Sequence, residues 1–358
     1  MSKRRLRFKV IYILLYLIGG FLLWSCSDAL IVENPLIEFQ VKNRLNSIRL
    51  HSSDSLFRAG EILLFDKFLF VKDEELEYLF KIIDVDQDRF LKRFGKIGQG
   101  PCEMNPFLSI FKSGKNGDML GVYEMEMREF QEYPIGQILE SKDDPDCIPF
   151  QGKFDGFIRT AIKLEGDYFL GAGMIEKPFM LISKGKEIQS VGTFPFQEKF
   201  EGIAPSTLDM AYQSNFYKHP SKSLVLASST FSFNMDFLEL NEEGQLIINK
   251  SLHYWPTEFE DSSGPNMISA TIKKENRFGN VFTTVSEDYI YVLYSDEPWE
   301  YHYPLKSKRV LVYDWGGNPV KILELDREVS IIAVNEKDRD LIGYVDDGKA
   351  NLYRFELD

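Results

Sequence analysis

The sequence predicts an all-β fold, a six-bladed β-propeller in which an N-terminal strand closes the last blade. Three observations carry this prediction. Beyond residue 26 the chain consists of short runs of Val, Ile, Phe, Tyr and Leu separated by Gly, Asp, Asn and Pro, which is typical of strands and turns. A strand–turn–strand pattern recurs along these runs. The chain also ends in three strands with no fourth after them.

The clearest strands are short apolar runs without helical periodicity. They are residues 69–71, 79–85, 168–170, 179–183, 224–227 and 289–294. The last run reads YIYVLY, an aromatic alternation of the kind that half-buried strands use. No segment after residue 26 has the pattern of a long amphipathic helix.

The repeat is centred on tight polar turns between strands. These turns fall at Asp86-Gln87, Lys184-Gly185, Glu243-Gly244 and Gly316-Gly317, with a fainter one at Pro134-Ile135-Gly136. Their separations of roughly 50 to 75 residues fit propeller blades, which are four-stranded sheets of about 40 to 50 residues plus loops. Gly at such turns supplies the positive φ that tight hairpins need.

The last blade is expected to take one strand from the N-terminal end of the domain. The final strands cover residues 330–334, 341–345 and 351–357, and a propeller must hide its open edges. Residues 38–50 contain a strand that can fill the gap. The remaining length, about 315 residues at ~52 per blade, gives six blades, with five or seven left open.

Residues 1–25 have the order of an export signal. A basic group precedes an apolar run over residues 10–23, and Leu23-Trp24-Ser25-Cys26 closes that run. This arrangement resembles a bacterial lipoprotein signal, in which Cys26 becomes the lipidated first residue. An uncleaved anchor helix is the alternative, although the run of about 14 residues is shorter than the ~20 that span a bilayer.

The chain therefore divides into three predicted segments. We expect a signal peptide over residues 1–25, a lipidated tether over 26–37 and the propeller domain over 38–358. The lipid would hold the protein in the cell envelope, at the outer membrane, facing the periplasm or the cell surface.

The charge of the mature chain argues against nucleic acid as a partner. Residues 1–25 hold five of the basic side chains and no acidic one, which leaves 37 Lys and Arg against 55 Asp and Glu, a formal net charge of −18. An acidic surface of this size repels phosphate backbones.

Cys102 and Cys147 remain after lipidation of Cys26. Outside the cytoplasm they could form a disulfide, although the sequence does not show whether their Cα atoms lie within reach. Two cysteines 45 residues apart with no paired spacing do not resemble a zinc site.

Two segments carry a family resemblance. Gly98-Gln99-Gly100-Pro101-Cys102-Glu103 follows a strand ending in KRFG, and YDWGGNPVKILELD lies near the C-terminus. Together with Leu23-Trp24-Ser25-Cys26, the lipobox of the predicted lipoprotein signal, they resemble the TolB-like six-bladed propeller lipoproteins of Bacteroidetes. That family often has Gly at the position of Cys102. The resemblance implies one propeller domain behind a lipobox and implies no activity.

The segment GQGPCE is expected to form the crossover from the first blade to the second, because Gly and Pro favour a sharp loop. A phosphate-binding loop is the alternative. It would need a following Lys-Ser/Thr and a helix whose N-terminus holds the anion, and neither is present in the sequence.

Neither a metal nor a cofactor is expected from the sequence. His51, His219, His253 and His302 are not paired at metal-ligand spacing. Asp84, Asp86 and Asp88 suggest a calcium loop, but Arg89 and Gly95 occupy the positions that an EF-hand requires as Gly and Glu. The alternation is expected to place all three Asp on one solvent face around a hairpin turn.

The candidate ligand-binding residues are Trp299, Tyr301, His302 and Tyr303, within PWEYHYP at residues 298–304. The two Pro keep this segment out of the sheet, and aromatic rings are favoured anchors that also stack on sugars. Alternatively, the rings fold back and cap a blade edge.

The predicted function is that of a lipid-anchored binding or scaffolding module for an envelope protein or a glycan or peptide ligand. The sequence has no Gly-x-Ser-x-Gly elbow and no Ser-x-x-Lys pair. The alternative is an envelope lyase or hydrolase with its active site at the channel mouth, to which Arg128, Arg159 and Arg277 from different blades could contribute.

Overall fold

The computed structural model describes residues 34–100, 102–149, 153–173, 176–298 and 305–357. These residues form six four-stranded antiparallel sheets, the blades of a propeller, together with one further strand at the rim of the fifth blade and a separate short hairpin. The predicted all-β fold and the number of blades are confirmed.

The first three blades each take four strands in chain order, from the central channel outward. The strands of blade 1 are β3 (Ala59–Phe65), β4 (Phe68–Asp73), β5 (Tyr78–Asp84) and β6 (Arg89–Lys96). Those of blade 2 are β7 (Leu108–Ser113), β8 (Met119–Glu124), β9 (Glu129–Pro134) and β10 (Ile148–Pro149). Those of blade 3 are β11 (Thr160–Lys163), β12 (Tyr168–Ala172), β13 (Phe179–Ser183) and β14 (Lys186–Val191).

The last three blades complete the ring. The strands of blade 4 are β15 (Ser214–Lys218), β16 (Leu224–Ser229), β17 (Asn234–Leu240) and β18 (Leu246–His253). Those of blade 5 are β21 (Arg277–Val285), β22 (Tyr289–Pro298), β23 (Ser307–Asp314) and β24 (Pro319–Val329). Blade 6 combines β25 (Ile331–Val334), β26 (Asp340–Asp346) and β27 (Ala350–Glu356) with the N-terminal β2 (Ser47–Leu50).

The N-terminal strand closes the ring as predicted. The strand β2 pairs antiparallel with β27 and becomes the outermost strand of blade 6. The preceding β1 (Lys42–Leu45) pairs in parallel with β24 and adds a fifth strand to blade 5. The outer edges of β27 and β24 are thereby paired, and β2 and β1 become the edge strands of these two sheets.

The turns at Asp86, Lys184, Glu243 and Gly316 all join the third and fourth strands of their blades. Gly185, Gly244 and Gly317 have positive φ angles of 79°, 73° and 69°, which is the conformation that we expected of Gly there.

The prediction of a turn at Pro134-Ile135-Gly136 was wrong. The helix α1 (Ile135–Glu140) begins there and lies between β9 and β10. Ile135 and Ile138 are buried on one side of this helix, so the segment is held by packing against the core. Pro at the start of an element is compatible with either a turn or a helix.

The three Asp of the DVDQD string do not share a solvent face. Asp84 is buried and its Oδ1 accepts hydrogen bonds from the backbone N–H groups of Asp86 and Gln87. Asp88 accepts hydrogen bonds from the N–H groups of His51 and Ser52. Asp86 is paired with Arg354 at 3.1 Å. Each of the three carboxylates therefore has a separate structural partner.

The two faces of the propeller carry loops that connect different pairs of strands. The loops between first and second strands and between third and fourth strands lie on one face, the lower face. The loops between second and third strands and between blades lie on the other, the upper face. The upper face carries α2 (Pro205–Ala211) and the hairpin of β19 (Phe259–Asp261) with β20 (Ala270–Ile272), which pack together through Leu208 and Phe259.

Short 3₁₀ helices cover Pro35–Glu38, His51–Ser55 and Gln197–Lys199. Within the described ranges, no helix has the length and apolar character required to cross a membrane.

Candidate functional site

The first strands of the blades surround a central channel. Strands β3, β7, β11, β15 and β21 line a cavity of about 270 Å³, here called the channel cavity. Apolar side chains such as Ile110 and Ile162 form part of its wall. The polar and charged side chains that line it are Glu61, Ser109, Lys112, Thr160, Asn215, Tyr217, Lys218, Thr283 and Thr284.

Glu61 is a carboxylate placed within this wall. It lies on β3 directly opposite Lys72 of β4, and neighbouring blades enclose it while part of its side chain faces the cavity. Burial raises the pKa of the Glu61 carboxyl to about 7, and the positive charge of Lys72 opposes this shift. At neutral pH the group is therefore divided between its charged and neutral forms.

The wall beside Glu61 is formed by neutral polar groups. Tyr217 of β15 is hydrogen-bonded to Thr283 of β21 and to Asn215, and burial raises the pKa of its hydroxyl above the usual range. Thr283 in turn donates a hydrogen bond to Asn280 at 3.0 Å. These groups offer both donors and acceptors to a polar ligand.

Three of the inner strands carry a lysine at or next to their lower-face end. These residues are Lys112, Lys163 and Lys218. The Nζ of Lys112 contacts Glu336 at 2.8 Å and the carbonyl oxygen of Val334 at 3.1 Å. Lys163 contacts Glu132 at 2.5 Å. Lys218 donates to the carbonyl oxygen of Gly114 at 3.1 Å, and its pKa is lowered by burial.

At the lower end of the channel these lysines are therefore all paired, Lys112 and Lys163 with carboxylates and Lys218 with a backbone carbonyl oxygen. The pKa of Glu336 is held below its usual value because Lys112 and backbone N–H groups outweigh the effect of its burial. An outer pair, Asp66 with Arg339 at 2.7 Å, continues this polar surface.

A second cavity lies on the upper face between blades 4, 5, 6 and 1. It has a volume of about 850 Å³ and is here called the upper cavity. Most of its wall is apolar or aromatic, while Arg58, Glu74 and Asp346 add charge. Its apolar lining consists of Ala59, Phe231, Phe278, Val281, Leu305, Ile331 and Tyr344. Gly60 lines both this cavity and the channel cavity.

The upper face also exposes large apolar side chains. Six of them, with 47% to 95% of their surface accessible, stand on loops of this face: Phe57, Leu76, Phe107, Met127, Phe157 and Met267. In the part of the chain that the structure describes, the lower-face loops contain no comparably exposed large apolar residue. Seven further exposed large apolar residues lie on the N-terminal segment and the outermost strands, so it is among the loops of the described residues that such side chains belong to the upper face. Exposed apolar residues grouped in this way are common at interaction surfaces.

Arg159 and Asp209 form a buried pair beneath this face. Arg159 precedes β11 and Asp209 lies on α2, with Nη2 and Oδ1 3.4 Å apart. Burial raises the pKa of Asp209 to about 6, although Arg159 opposes the shift. The Nε of Arg159 and the Oδ2 of Asp209 have no hydrogen-bond partner among the described residues.

The other two arginines that the sequence suggested are exposed. Arg128 lies in a loop of blade 2 with a φ of 56°, and Arg277 begins β21. All three arginines belong to the upper face, but among the residues that the structure describes only Arg159 has a buried carboxylate partner.

The candidate ligand-binding residues Trp299, Tyr301, His302 and Tyr303 lie outside the described residues, as does Cys26. Leu305, which follows the aromatic segment, lines the upper cavity.

The described histidines have structural partners. His219 is buried, and its Nδ1 accepts hydrogen bonds from the N–H groups of Ser221 and Lys222 at 3.1 Å. Its ring contacts Trp315, with centroids 4.8 Å apart. His253 contacts Asp236 at 3.1 Å. Within the described ranges, no group of three His, Cys, Asp or Glu side chains is placed to hold a metal ion.

The segment Gly98–Glu103 connects β6 to β7, in the crossover position that the sequence suggested. Glu103 accepts a hydrogen bond from the N–H of Gly100 at 2.8 Å and pairs with Lys96 at 2.7 Å. A Cβ on Gly98 would lie 2.0 Å from the Glu103 carboxylate, so any side chain there would require Glu103 to move. These contacts give the loop a structural role.

Cys102 and Cys147 are joined by a disulfide in the structure, with Cα atoms 5.4 Å apart. The bond ties the crossover loop to the segment before β10. Cys102 has a φ of 62°, in the left-handed region that favours Gly. Gly would adopt this backbone conformation without strain.

Glu61, Tyr217 and the exposed residues of the upper face were not singled out by the sequence analysis. The sequence held one indication of Glu61, in the run AGEILLF, where a Glu interrupts an otherwise apolar strand.

The sequence and the fold agree with a known family. The TolB-like 6-blade propeller-like family matches residues 43–337. The chain belongs to this family. The match covers all six blades in part or whole, and it assigns no ligand.

Solved structures of similar fold include bacterial and fungal propellers. A protein of Bacteroides fragilis described as exported is 12% identical, with 89% of this chain and 99% of that chain covered and a TM-score of 0.50. The β-propeller domain of Cps50 (Swd1) from Myceliophteria thermophila is also 12% identical, with 86% and 99% covered and a TM-score of 0.42. No curated protein matches the sequence.

Proposed function

We propose that this protein is a lipid-anchored binding module of the bacterial cell envelope whose upper face docks a partner protein. The observation that carries the proposal is the concentration of exposed Phe57, Leu76 and Phe107 and their neighbours on one face. Apolar and aromatic side chains of this size supply most of the binding energy at protein interfaces.

The envelope location rests on the N-terminal sequence. A basic segment, an apolar run and Leu23-Trp24-Ser25-Cys26 together support lipidation at Cys26 after export. The Cys102–Cys147 disulfide agrees with a location outside the cytoplasm, where such bonds persist. The fold of the exported Bacteroides fragilis protein is compatible with the same location.

Replacement of Cys26 tests the anchor. The Cys26→Ala variant should lose lipid incorporation and leave the membrane fraction when cells are fractionated, whereas the Cys147→Ala variant should stay membrane-bound. Unchanged lipidation or membrane association of the Cys26 variant would contradict the proposed anchor.

The binding role is tested by recovery of the lipidated protein from native envelope, followed by mass spectrometry of its companions. We expect a stoichiometric companion with the wild type and its loss from the variant Phe57→Ser/Phe107→Ser. The matched control is Ile188→Ser/Ile247→Ser, which changes two exposed apolar residues on the outer strands β14 and β18.

The aromatic segment around Trp299 stays a predicted contact. Leu305 follows it and lines the upper cavity, which supports its contribution to the same surface. If Trp299→Ala and Tyr301→Ala together leave the recovery of the companion unchanged, that assignment is wrong.

A further inference from the structure

The channel cavity contains a carboxylate without a local partner. Among the residues that the structure describes, neither a hydrogen bond nor an ion pair reaches the side chain of Glu61, although the groups around it are almost all paired. Enclosing an unpaired carboxylate is unfavourable, because the carboxylate loses hydrogen bonds to water and gains few from the protein in return. Glu61 therefore has unused capacity to accept hydrogen bonds from a ligand in the cavity.

The cations nearest to Glu61 are engaged elsewhere. Lys72, opposite Glu61 on β4, donates its Nζ to the carbonyl oxygen of Leu108 at 2.9 Å. Lys112 contacts Glu336, and Lys218 donates to Gly114. The positive charge of Lys72 opposes the rise in the pKa of Glu61, yet no ammonium group of the described protein contacts the Glu61 carboxylate.

The space next to Glu61 suits an elongated ligand with one polar end. The upper cavity provides apolar and aromatic surface from Phe231, Phe278 and Tyr344, and Gly60 lines both cavities. Because Gly60 has no side chain, it places no bulk between them. Polar groups at Asn215 and Tyr217 can accept further hydrogen bonds within the channel cavity.

We propose that the channel cavity binds the ammonium group of a primary amine at Glu61, while the apolar body of the same ligand occupies the upper cavity. A charge-assisted hydrogen bond from an ammonium group would satisfy the carboxylate in an environment of low dielectric, where such bonds are strong. A small arylalkylamine and the N-terminus of a peptide both present such an ammonium group.

Binding is expected to depend on pH. Burial raises the pKa of Glu61 to about 7, so an amine finds the carboxylate charged above that pH and neutral well below it. The titratable groups around Glu61 are Lys72 opposite it on β4, Lys112 from β7, and Tyr217 and Lys218 from β15. Burial lowers the pKa of Lys72 and of Lys218. Strands β11 and β21 contribute only neutral residues to the cavity.

The test is isothermal titration calorimetry of the full chain in detergent with phenethylamine and with 2-phenylethanol, its uncharged counterpart. We expect the wild type to prefer the amine, and Glu61→Gln to weaken amine binding at least tenfold while leaving the alcohol unchanged. The control Glu129→Gln removes a carboxylate of blade 2 that is paired with Lys153 at 3.2 Å and lines neither cavity, and it should change amine binding less than threefold.

The wild type alone provides a second measurement that does not depend on the folding of a variant. Raising the pH from 5.5 to 8 should strengthen amine binding about tenfold or more, since Glu61 ionises across that range, and should not affect the alcohol. Equal binding of amine and alcohol, unchanged amine binding by Glu61→Gln, or no binding of either probe would overturn the proposal.

Phenylalanylglycine and its N-acetyl form distinguish the two sources of the amino group. Tighter binding of the free dipeptide than of phenethylamine identifies a peptide N-terminus, and the reverse identifies a small amine. The proposal rests on the proposed function only in treating the protein as a binding module. Loss of the companion protein from the upper-face variant and loss of amine binding from Glu61→Gln are separate results, and either can fail alone.

Discussion

Leu50 of β2 lies opposite Leu352 of β27 in the outer part of blade 6. Both side chains are buried in a cluster that also contains residues of blade 1, such as Leu64 and Val71. The N-terminal strand thus joins the last blade to the first through side-chain packing as well as through backbone hydrogen bonds. Closure of the ring depends on this contact.

Leu50→Ala should reduce the free energy of unfolding by about 2–4 kcal/mol, because it leaves a cavity at the junction of two blades. Ile48→Ala on the same strand is the matched control, since Ile48 is exposed, and it should change stability by about 0.5 kcal/mol or less. Chemical denaturation measures both. Equal losses in the two variants would mean that the junction does not depend on this side chain.

Gly98→Ala should destabilise the protein by about 1–2 kcal/mol, since the added methyl group displaces Glu103 from its hydrogen bond with the N–H of Gly100. Gly136→Ala serves as the control on the exposed side of α1, where the structure places nothing within 4 Å of an added Cβ. That variant should be neutral or stabilised by up to about 1 kcal/mol. Thermal unfolding distinguishes the two. A destabilised Gly136 variant beside an unaffected Gly98 variant would contradict this description of the loop.

Removal of the disulfide should lower the free energy of unfolding by about 2–4 kcal/mol, since it releases a loop of 45 residues in the unfolded chain. The double variant Cys102→Ser/Cys147→Ser and the reduced wild type should unfold at the same denaturant concentration. A reductant should have no effect on the double variant. If reduction leaves the wild type unchanged, the bond contributes nothing to stability.

Glu61→Gln should alter how stability depends on pH. The pKa of Glu61 is about 7 in the folded state against 4.5 ordinarily, so the folded state binds the extra proton and stability falls as the pH rises between these values. The variant lacks this loss and should be more stable than the wild type at pH 8 by about 1–3 kcal/mol. This figure is set below the full effect of the pKa shift because part of the Glu61 side chain faces the cavity, where solvent screens its charge.

The two proteins should be nearly equal in stability below pH 4.5, where Glu61 is protonated in both the folded and the unfolded state. Urea denaturation at several pH values measures the difference. Glu74→Gln is the control and should keep the pH dependence of the wild type, since Glu74 is exposed. A parallel pH dependence of Glu61→Gln and wild type would show that the carboxyl has an ordinary pKa.

The blades could be predicted from the sequence because they depend on local patterns. Apolar runs such as residues 289–294 and turns with Gly at positive φ specify each hairpin within a few residues. Closure by the N-terminal strand followed from the missing fourth strand of the last blade. The helix α1 was missed because Pro134 and Gly136 occur equally in turns, and the burial of Ile138 that holds the helix comes from distant residues.

The channel cavity could not be predicted for a different reason. Glu61 and Tyr217 belong to blades 1 and 4, and the sequence alone does not determine which alternate residues of an inner strand face the channel. The left-handed backbone of Cys102 was also hidden, since Cys gives no indication of a positive φ. Asp84 was expected on a solvent face, yet its side chain is buried because it caps its own hairpin turn.

The central claim, that the upper face docks a partner, is tested most directly by site-specific photocrosslinking in living cells. A photoreactive phenylalanine analogue would replace Phe107 on the upper face or, as control, Ile188 on the outer strand of blade 3. We expect a crosslinked product of one discrete mass from position 107 and none from position 188. Equal crosslinking at both positions, or crosslinking at 188 alone, would contradict the claim.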